Sequence, residues 1–134
     1  MYYLIYFIVK ALSYIPFWAL YILSDIMYYP LYYVIRYRRK IVRKNLTESF
    51  PEKSHEEIVA IEKKFYRYFM DMILESSKMA SISPAEIRKR MKFVNVDKTN
   101  KLLDEGKSLA FFMGHYCTWD WMTYVGCGIN SDVL

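Results

Sequence analysis

Two cysteines and two histidines in 134 residues leave little for metal or redox chemistry to work with. Cys117 and Cys127 are too few for a disulfide framework, and no Cys/His set has the spacing of a structural zinc site. Both thiols are expected to be reduced. The chain has no internal repeats and no low-complexity linker. A cleavable signal peptide fits the sequence badly, since no basic stretch precedes the first apolar run and no clear small-residue cleavage site follows it. Charge is nearly missing from residues 1–35, where Lys10 and Asp25 cancel.

What is present is apolar and aromatic. Hydrophobic residues make up 54% of the chain, and many of its 14 tyrosines fall early. The net charge of +5 is local: residues 36–44 carry six positive charges, Arg36, Arg38, Arg39, Lys40, Arg43 and Lys44, and the remainder nearly balances. A basic tract lying against a long apolar segment reads as a topogenic or headgroup-binding cluster rather than a nucleic-acid site. Residues 1–35 are apolar enough for a membrane helix, although Pro16, Asp25 and Pro30 divide them. An Asp near the bilayer centre costs about 2.5–3.5 kcal/mol on insertion scales. Tyr14, Tyr21, Asp25, Tyr28 and Tyr32 recur at helical spacing as a polar-tipped stripe, with Phe17, Leu20, Leu23, Met27 and Leu31 opposite. The pattern predicts a segment entering the membrane over residues 1–23 and then lying in the interface, tyrosines at headgroup level. By the positive-inside rule the basic cluster stays cytoplasmic.

Beyond the cluster, Ser54-His55-Glu56-Glu57 has the form of a capping box, with His55 solvated. It predicts a helix with Ile58, Ile61, Phe65, Tyr68, Phe69, Met72, Ser76 and Met79 on its apolar face, ending before Ser81–Pro84. Ser83-Pro84-Ala85-Glu86 begins a short helix carrying Arg88, Lys89 and Arg90. Phe93–Val96 alternates like a half-buried strand, and residues 100–106 read as a helix closed by Gly106. Leu109–Met113 has the length and continuity of a strand buried on both faces, with Gly114 as its breaker. Helix, strand, helix, strand predicts an α/β unit with a right-handed crossover.

His115 follows that run, five positions before Asp120. In open α/β sheets ligands bind outside the carboxyl ends of strands. An imidazole there accepts a proton near neutrality, and a carboxylate on its other nitrogen would fix the tautomer. Positions i and i+5 on one continuous helix diverge by about 140°, so the pair can meet only across a loop. A helix beginning near Thr118 would place Asp120 in its first turn, pointing back at His115. The plainer reading is a satisfied strand-end histidine followed by an ordinary first-turn acid. Cys117 beside it reads as a small packing residue before a nucleophile.

Residues 36–120 resemble the lipid A biosynthesis (lauroyl/myristoyl) acyltransferase family of the lysophospholipid acyltransferase-like superfamily. The resemblance is carried by Arg36-Tyr37-Arg38-Arg39, Val42-x-x-Asn45-Leu46, Ser49-Phe50-Pro51, Phe65-Tyr66-Arg67-Tyr68-Phe69, Leu103-x-x-Gly106-Lys107 and Gly114-His115-x4-Asp120-Trp121. Thr118 and Asp120 stand where that family more often has Asn and Glu; Asp is the usual acid in the wider superfamily.

The resemblance implies that His115 takes a proton from an acceptor hydroxyl, which attacks the thioester of acyl carrier protein or acyl-coenzyme A, with Asp120 orienting His115. It further implies that Gly114 and Trp119 contact substrate, that the acceptor is a lipid A precursor, and that no metal or cofactor takes part. The expected organisation is a membrane-anchoring or interfacial segment at 1–35, a basic juxtamembrane linker at 36–53, and the first part of an acyltransferase α/β domain at 54–134. The chain reads as the N-terminal part of a longer bacterial inner-membrane enzyme, with its catalytic side cytoplasmic and the fragment inactive alone. Two other readings stay open: an acyltransferase acting on another glycerolipid or glycolipid, and a membrane-bound interaction module.

Overall fold

The computed structural model of the chain describes residues 2–116 and 118–129. It forms two compact units, one comprising residues 1–80 and the other beginning at Ser81. Among the described residues every regular element is helical, which corrects the α/β expectation.

The first unit contains α1 (Tyr2–Tyr14), α2 (Phe17–Tyr29), a π-helical segment (Pro30–Ile35), α3 (Arg39–Ser49) and α4 (His55–Lys78). Pro16 ends the first helix and stands at the N-cap of the second. Each is therefore only 13 residues long. At 1.5 Å per residue that is roughly 20 Å, against a hydrocarbon core of about 30 Å. Among the described residues no helix is long and apolar enough to cross a membrane, so the expected span over residues 1–23 is corrected. Pro30 lacks an N–H and its ring crowds the carbonyl four residues back; the chain answers with a wider π turn instead of breaking.

Helix α4 is the spine of this unit. Its capping box forms as the sequence predicts: the Ser54 hydroxyl accepts from the Glu57 amide and the Glu57 carboxylate accepts from the Ser54 amide. Those bonds hold the Glu57 carboxyl below its ordinary range, the Ser54 amide contributing most. The second helix runs antiparallel along the spine, Tyr21 bonding Glu75 and Tyr32, further on, bonding Glu62. The Lys78 ammonium donates to the carbonyls of Ser13 and Ile15, each at 2.7 Å, tying the end of α1 to the end of α4.

Two inward faces differ from the sequence pattern. On α4 the buried residues are Ile58, Glu62, Tyr66, Met70, Leu74 and Ser77, whereas Phe65 and Tyr68 of the expected stripe are exposed. In the first two helices and the π segment, Ser13, Phe17, Leu20, Ser24, Tyr28 and Tyr32 turn inward. Tyr28 and Tyr32 are thus core residues, not headgroup contacts. They stack on each other and join Tyr66 and Met70, closed by Leu31 and Val42. The outward stripe is Trp18, Ile22, Ile26, Tyr29 and Tyr33, also at helical spacing.

The second unit contains α5 (Pro84–Arg90), α6 (Val96–Asp104) and a 3₁₀ segment (Trp119–Cys127). Ser83 caps α5 through the Glu86 amide. Phe93–Val96 is not a strand, because Asn95 adopts a left-handed conformation with φ of 61° and starts α6. Gly106, at φ of 72°, ends that helix in a Schellman motif: its amide bonds Leu103 and the Lys107 amide bonds Leu102. Leu109–Met113 is irregular and largely open to solvent, with Phe112 96% exposed. A doubly buried strand needs neighbours to take its amides and carbonyls, and no strand is present among the described residues to do so.

Candidate functional site

Residues 114–121 lie in the second unit, where the chain leaves the irregular apolar run. The Tyr116 amide bonds the Gly114 carbonyl, a tight turn that lifts His115 into solvent. Thr118 takes the N-cap position of the 3₁₀ segment but makes no side-chain cap, and Asp120 falls in the first turn. The placement of both follows the sequence expectation; the segment is 3₁₀ rather than α-helical. Trp119 lies beside the histidine, its ring 4.3 Å from the imidazole at an angle of 54°.

His115 sits in the turn from Gly114 to Tyr116 and Asp120 in the first turn of the 3₁₀ segment, and no hydrogen bond or ion pair between the two is found among the described residues. Asp120 is half-buried and its carbonyl accepts from the Thr123 hydroxyl. Gly114 stands in open space, and an added Cβ would meet nothing within 4 Å. The 3₁₀ segment is held to α5 by Arg88, which donates to the Cys127 carbonyl at 3.0 Å. Phe93 packs beneath Gly128. Cys127 is half-buried with a free thiol, and Cys117 lies outside the described residues.

The basic cluster belongs to the first unit, and the fold sorts its six cations into two groups. Arg39 and Arg43, one turn apart on α3, converge on Glu62 of α4, whose side chain has no exposed surface. Arg39 Nε reaches one carboxylate oxygen at 2.7 Å; Arg43 uses Nε at 2.7 Å and Nη2 at 3.0 Å on both oxygens. The Tyr32 hydroxyl adds a fourth bond at 2.8 Å. The Arg39 guanidinium also lies 4.3 Å above the Tyr32 ring. Burial pushes the Glu62 carboxyl up, but the bonds from Arg43, Arg39 and Tyr32 outweigh it and hold the group below its ordinary value. Burial, then the bond to Glu62, pushes the Tyr32 phenol up to about 12.

Arg36, Arg38, Lys40 and Lys44 point away from that network. Lys44 makes a loose exposed pair with Glu48 at 3.7 Å. Arg36, Arg38 and Lys40 make no ion pair among the described residues. Arg36 and Arg38 both adopt left-handed backbone, with φ of 52° and 49°, and this double turn swings α3 back onto α4. Such a conformation costs roughly 1–2 kcal/mol per non-glycine residue. Together with Arg39, Lys40, Ile41 and Arg43 they line a cleft of about 620 Å³.

Sequence reasoning missed Glu62. The signal was there: it sits four residues after Ile58 and four before Tyr66, a lone carboxylate in an apolar i+4 row, opposite an Arg39/Arg43 pair at the same spacing.

Residues 1–125 match the family model described as bacterial lipid A biosynthesis acyltransferase, a span that includes the tyrosine-rich helices, the basic cluster and the whole sequence motif from Gly114 to Asp120. No curated protein and no solved structure matches the chain.

Proposed function

The chain belongs to the bacterial lipid A biosynthesis acyltransferase family, and on that premise we propose that His115 is the general base of an acyl transfer onto a hydroxyl of a lipid A precursor. The imidazole takes the hydroxyl proton, the oxygen attacks the thioester carbonyl of acyl carrier protein or acyl-coenzyme A, and the carbon–sulfur bond breaks. The departing thiolate recovers the proton from the imidazolium. Asp120 accepts from the second ring nitrogen in the working state, and Gly114 and Trp119 contact the reacting chain. The family match through His115-x4-Asp120 carries this reading. The exposed imidazole, with a tryptophan ring against it and a carboxylate in the first turn of the 3₁₀ segment that follows, supports it.

Residues 1–35 and the basic stretch 36–53 hold the protein on the cytoplasmic face of the inner membrane, and 54–134 carry the catalytic motif. The supporting observation is the outward stripe Trp18, Ile22, Ile26, Tyr29 and Tyr33 in the same unit as four outward cations. Such an amphipathic surface lies in the interface, its apolar side in the acyl boundary and its cations toward anionic headgroups.

The test of the chemistry is transfer of a labelled acyl chain from acyl carrier protein to a lipid A precursor by the enzyme carrying this chain. His115→Ala should lower the rate by about 10²- to 10⁴-fold with the helical circular dichroism unchanged. A near-normal rate would remove His115 from the mechanism.

A further inference from the structure

An exposed imidazole on a turn rotates freely about its side-chain bonds unless something holds it. His115 is exposed, and among the described residues its imidazole makes no hydrogen bond and no ion pair. What meets it is the ring of Trp119, 4.3 Å away between centroids and inclined at 54°. That ring is not on a loose loop. Trp119 opens the 3₁₀ segment, in which Trp121 is buried and whose far end is bonded to Arg88 of α5 through the Cys127 carbonyl at 3.0 Å. The indole therefore passes to the imidazole the order of an element packed on α5. Trp119 itself stays 38% exposed, whereas a tryptophan placed for stability alone gains most from full burial. Trp121 does that; Trp119 sets its ring against the histidine.

We propose that Trp119 is a positioning residue for acyl transfer, holding the His115 imidazole by its ring and stabilising the imidazolium that forms when the base takes its proton. The inference rests on His115 being that base, as proposed above. The contact is between rings and not through a hydrogen bond, so both imidazole nitrogens stay open, one to the acceptor hydroxyl and the other to a carboxylate. Indole is also the best aromatic partner for a cation, and 4.3 Å lies inside the roughly 6 Å over which that attraction acts. A neutral imidazole gains little from it. The interaction therefore strengthens as the proton arrives, which is the condition for lowering a barrier rather than for tightening binding alone. Trp119 acts on the reaction through His115.

The test uses the whole chain for proton magnetic resonance and the enzyme carrying it for kinetics, with Trp119→Leu, Trp119→Phe and His115→Ala. The chain has two histidines, and His55, at the start of α4, serves as the internal control. The ring current of the indole should displace the His115 ring resonances from those of His55. Trp119→Leu should bring them back toward the His55 positions, and Trp119→Phe should keep part of the displacement. In acyl transfer from acyl carrier protein to a lipid A precursor, Trp119→Leu should lower kcat by about three- to tenfold, the size of a cation–π contact at a partly exposed site. KM should change less, and Trp119→Phe should recover most of the rate. His115 resonances that do not move in Trp119→Leu would overturn the contact and the proposal together. Moved resonances with an unchanged kcat, a rise in KM alone, or equal losses in Trp119→Phe and Trp119→Leu would overturn the positioning role while a slow His115→Ala kept the base. Near-normal transfer by His115→Ala would instead remove the base, and the role of Trp119 with it.

Discussion

Arg43 holds Glu62 through two nitrogens, Nε at 2.7 Å to one oxygen and Nη2 at 3.0 Å to the other, and so pins α3 to α4 at a point with no solvent on the carboxylate side. A buried carboxylate that lost these partners would be left uncompensated, and two guanidiniums that lost it would face each other with like charge. Glu62→Ala should therefore cost about 3 kcal/mol or more, the lower end of the range for breaking a buried pair, because the arginines remain about a quarter to a third exposed. Arg39→Ala, which leaves Arg43 in place, should cost less. Urea unfolding midpoints of the three proteins check the order; equal stability of the Glu62→Ala variant and wild type would contradict it.

The same network sets how stability depends on pH. The folded Glu62 carboxyl lies below its ordinary value of 4.5, so its contribution is complete above that value and is lost as the pH falls through the depressed folded one. Tyr32 works in the opposite direction: its phenol is raised from 10.0 to about 12, so that contribution is complete below 10.0 and is lost as the pH climbs. Thermal unfolding of wild type should fall off on both flanks. Glu62→Gln should flatten the acid flank and Tyr32→Phe the alkaline one. An acid flank unchanged in Glu62→Gln would show that other carboxylates set it.

In the second unit, a Cβ on Gly128 would collide with Cγ of Phe93, near the root of that side chain where it has little freedom to move. Gly128→Ala should destabilise by about 1–3 kcal/mol through overpacking. Phe93→Leu in the same chain should recover part of the loss, a non-additivity that a double-mutant cycle measures. Strict additivity would mean that the two residues do not share the space.

Membrane attachment should depend on the outward stripe. Ile22→Ser/Ile26→Ser changes two exposed positions and no inward one. At about 25 cal/mol per Å² of apolar surface removed from water, losing two such side chains should reduce vesicle partitioning by tenfold or more. Flotation with anionic vesicles at high salt, where the cations are screened, isolates the apolar part. Unchanged flotation would place the contact elsewhere.

For the reaction itself, Asp120→Asn should slow acyl transfer while leaving vesicle binding intact, because it removes the charge proposed to stabilise the imidazolium and alters no residue of the proposed membrane-facing stripe or of the basic cluster. Parallel rate and flotation measurements separate the two. Loss of binding with a normal rate would reverse these assignments.

Short-range features were legible from the sequence because their chemistry is complete within a few residues. The capping box at Ser54, the cap at Ser83, the break at Pro16, the Gly106 stop and the place of Asp120 in a first turn after Thr118 each need only neighbours in the chain. The family was legible for the same reason, through contiguous motifs. Only the tertiary structure decided which faces turn inward. Periodicity ranks residues by polarity, so it left Glu62 unremarked and placed the tyrosines at 28 and 32 at headgroup level. Arg39, Arg43 and Tyr32 satisfy that carboxylate from distant parts of the chain, and the tyrosines stack within one core. Conversely, Leu109–Met113 has the composition of a buried strand, yet burial needs a partner strand, and none of the described residues provides one. Whether an apolar or charged residue is inside depends on what the fold brings against it, and that relation lies between segments and not in any one of them.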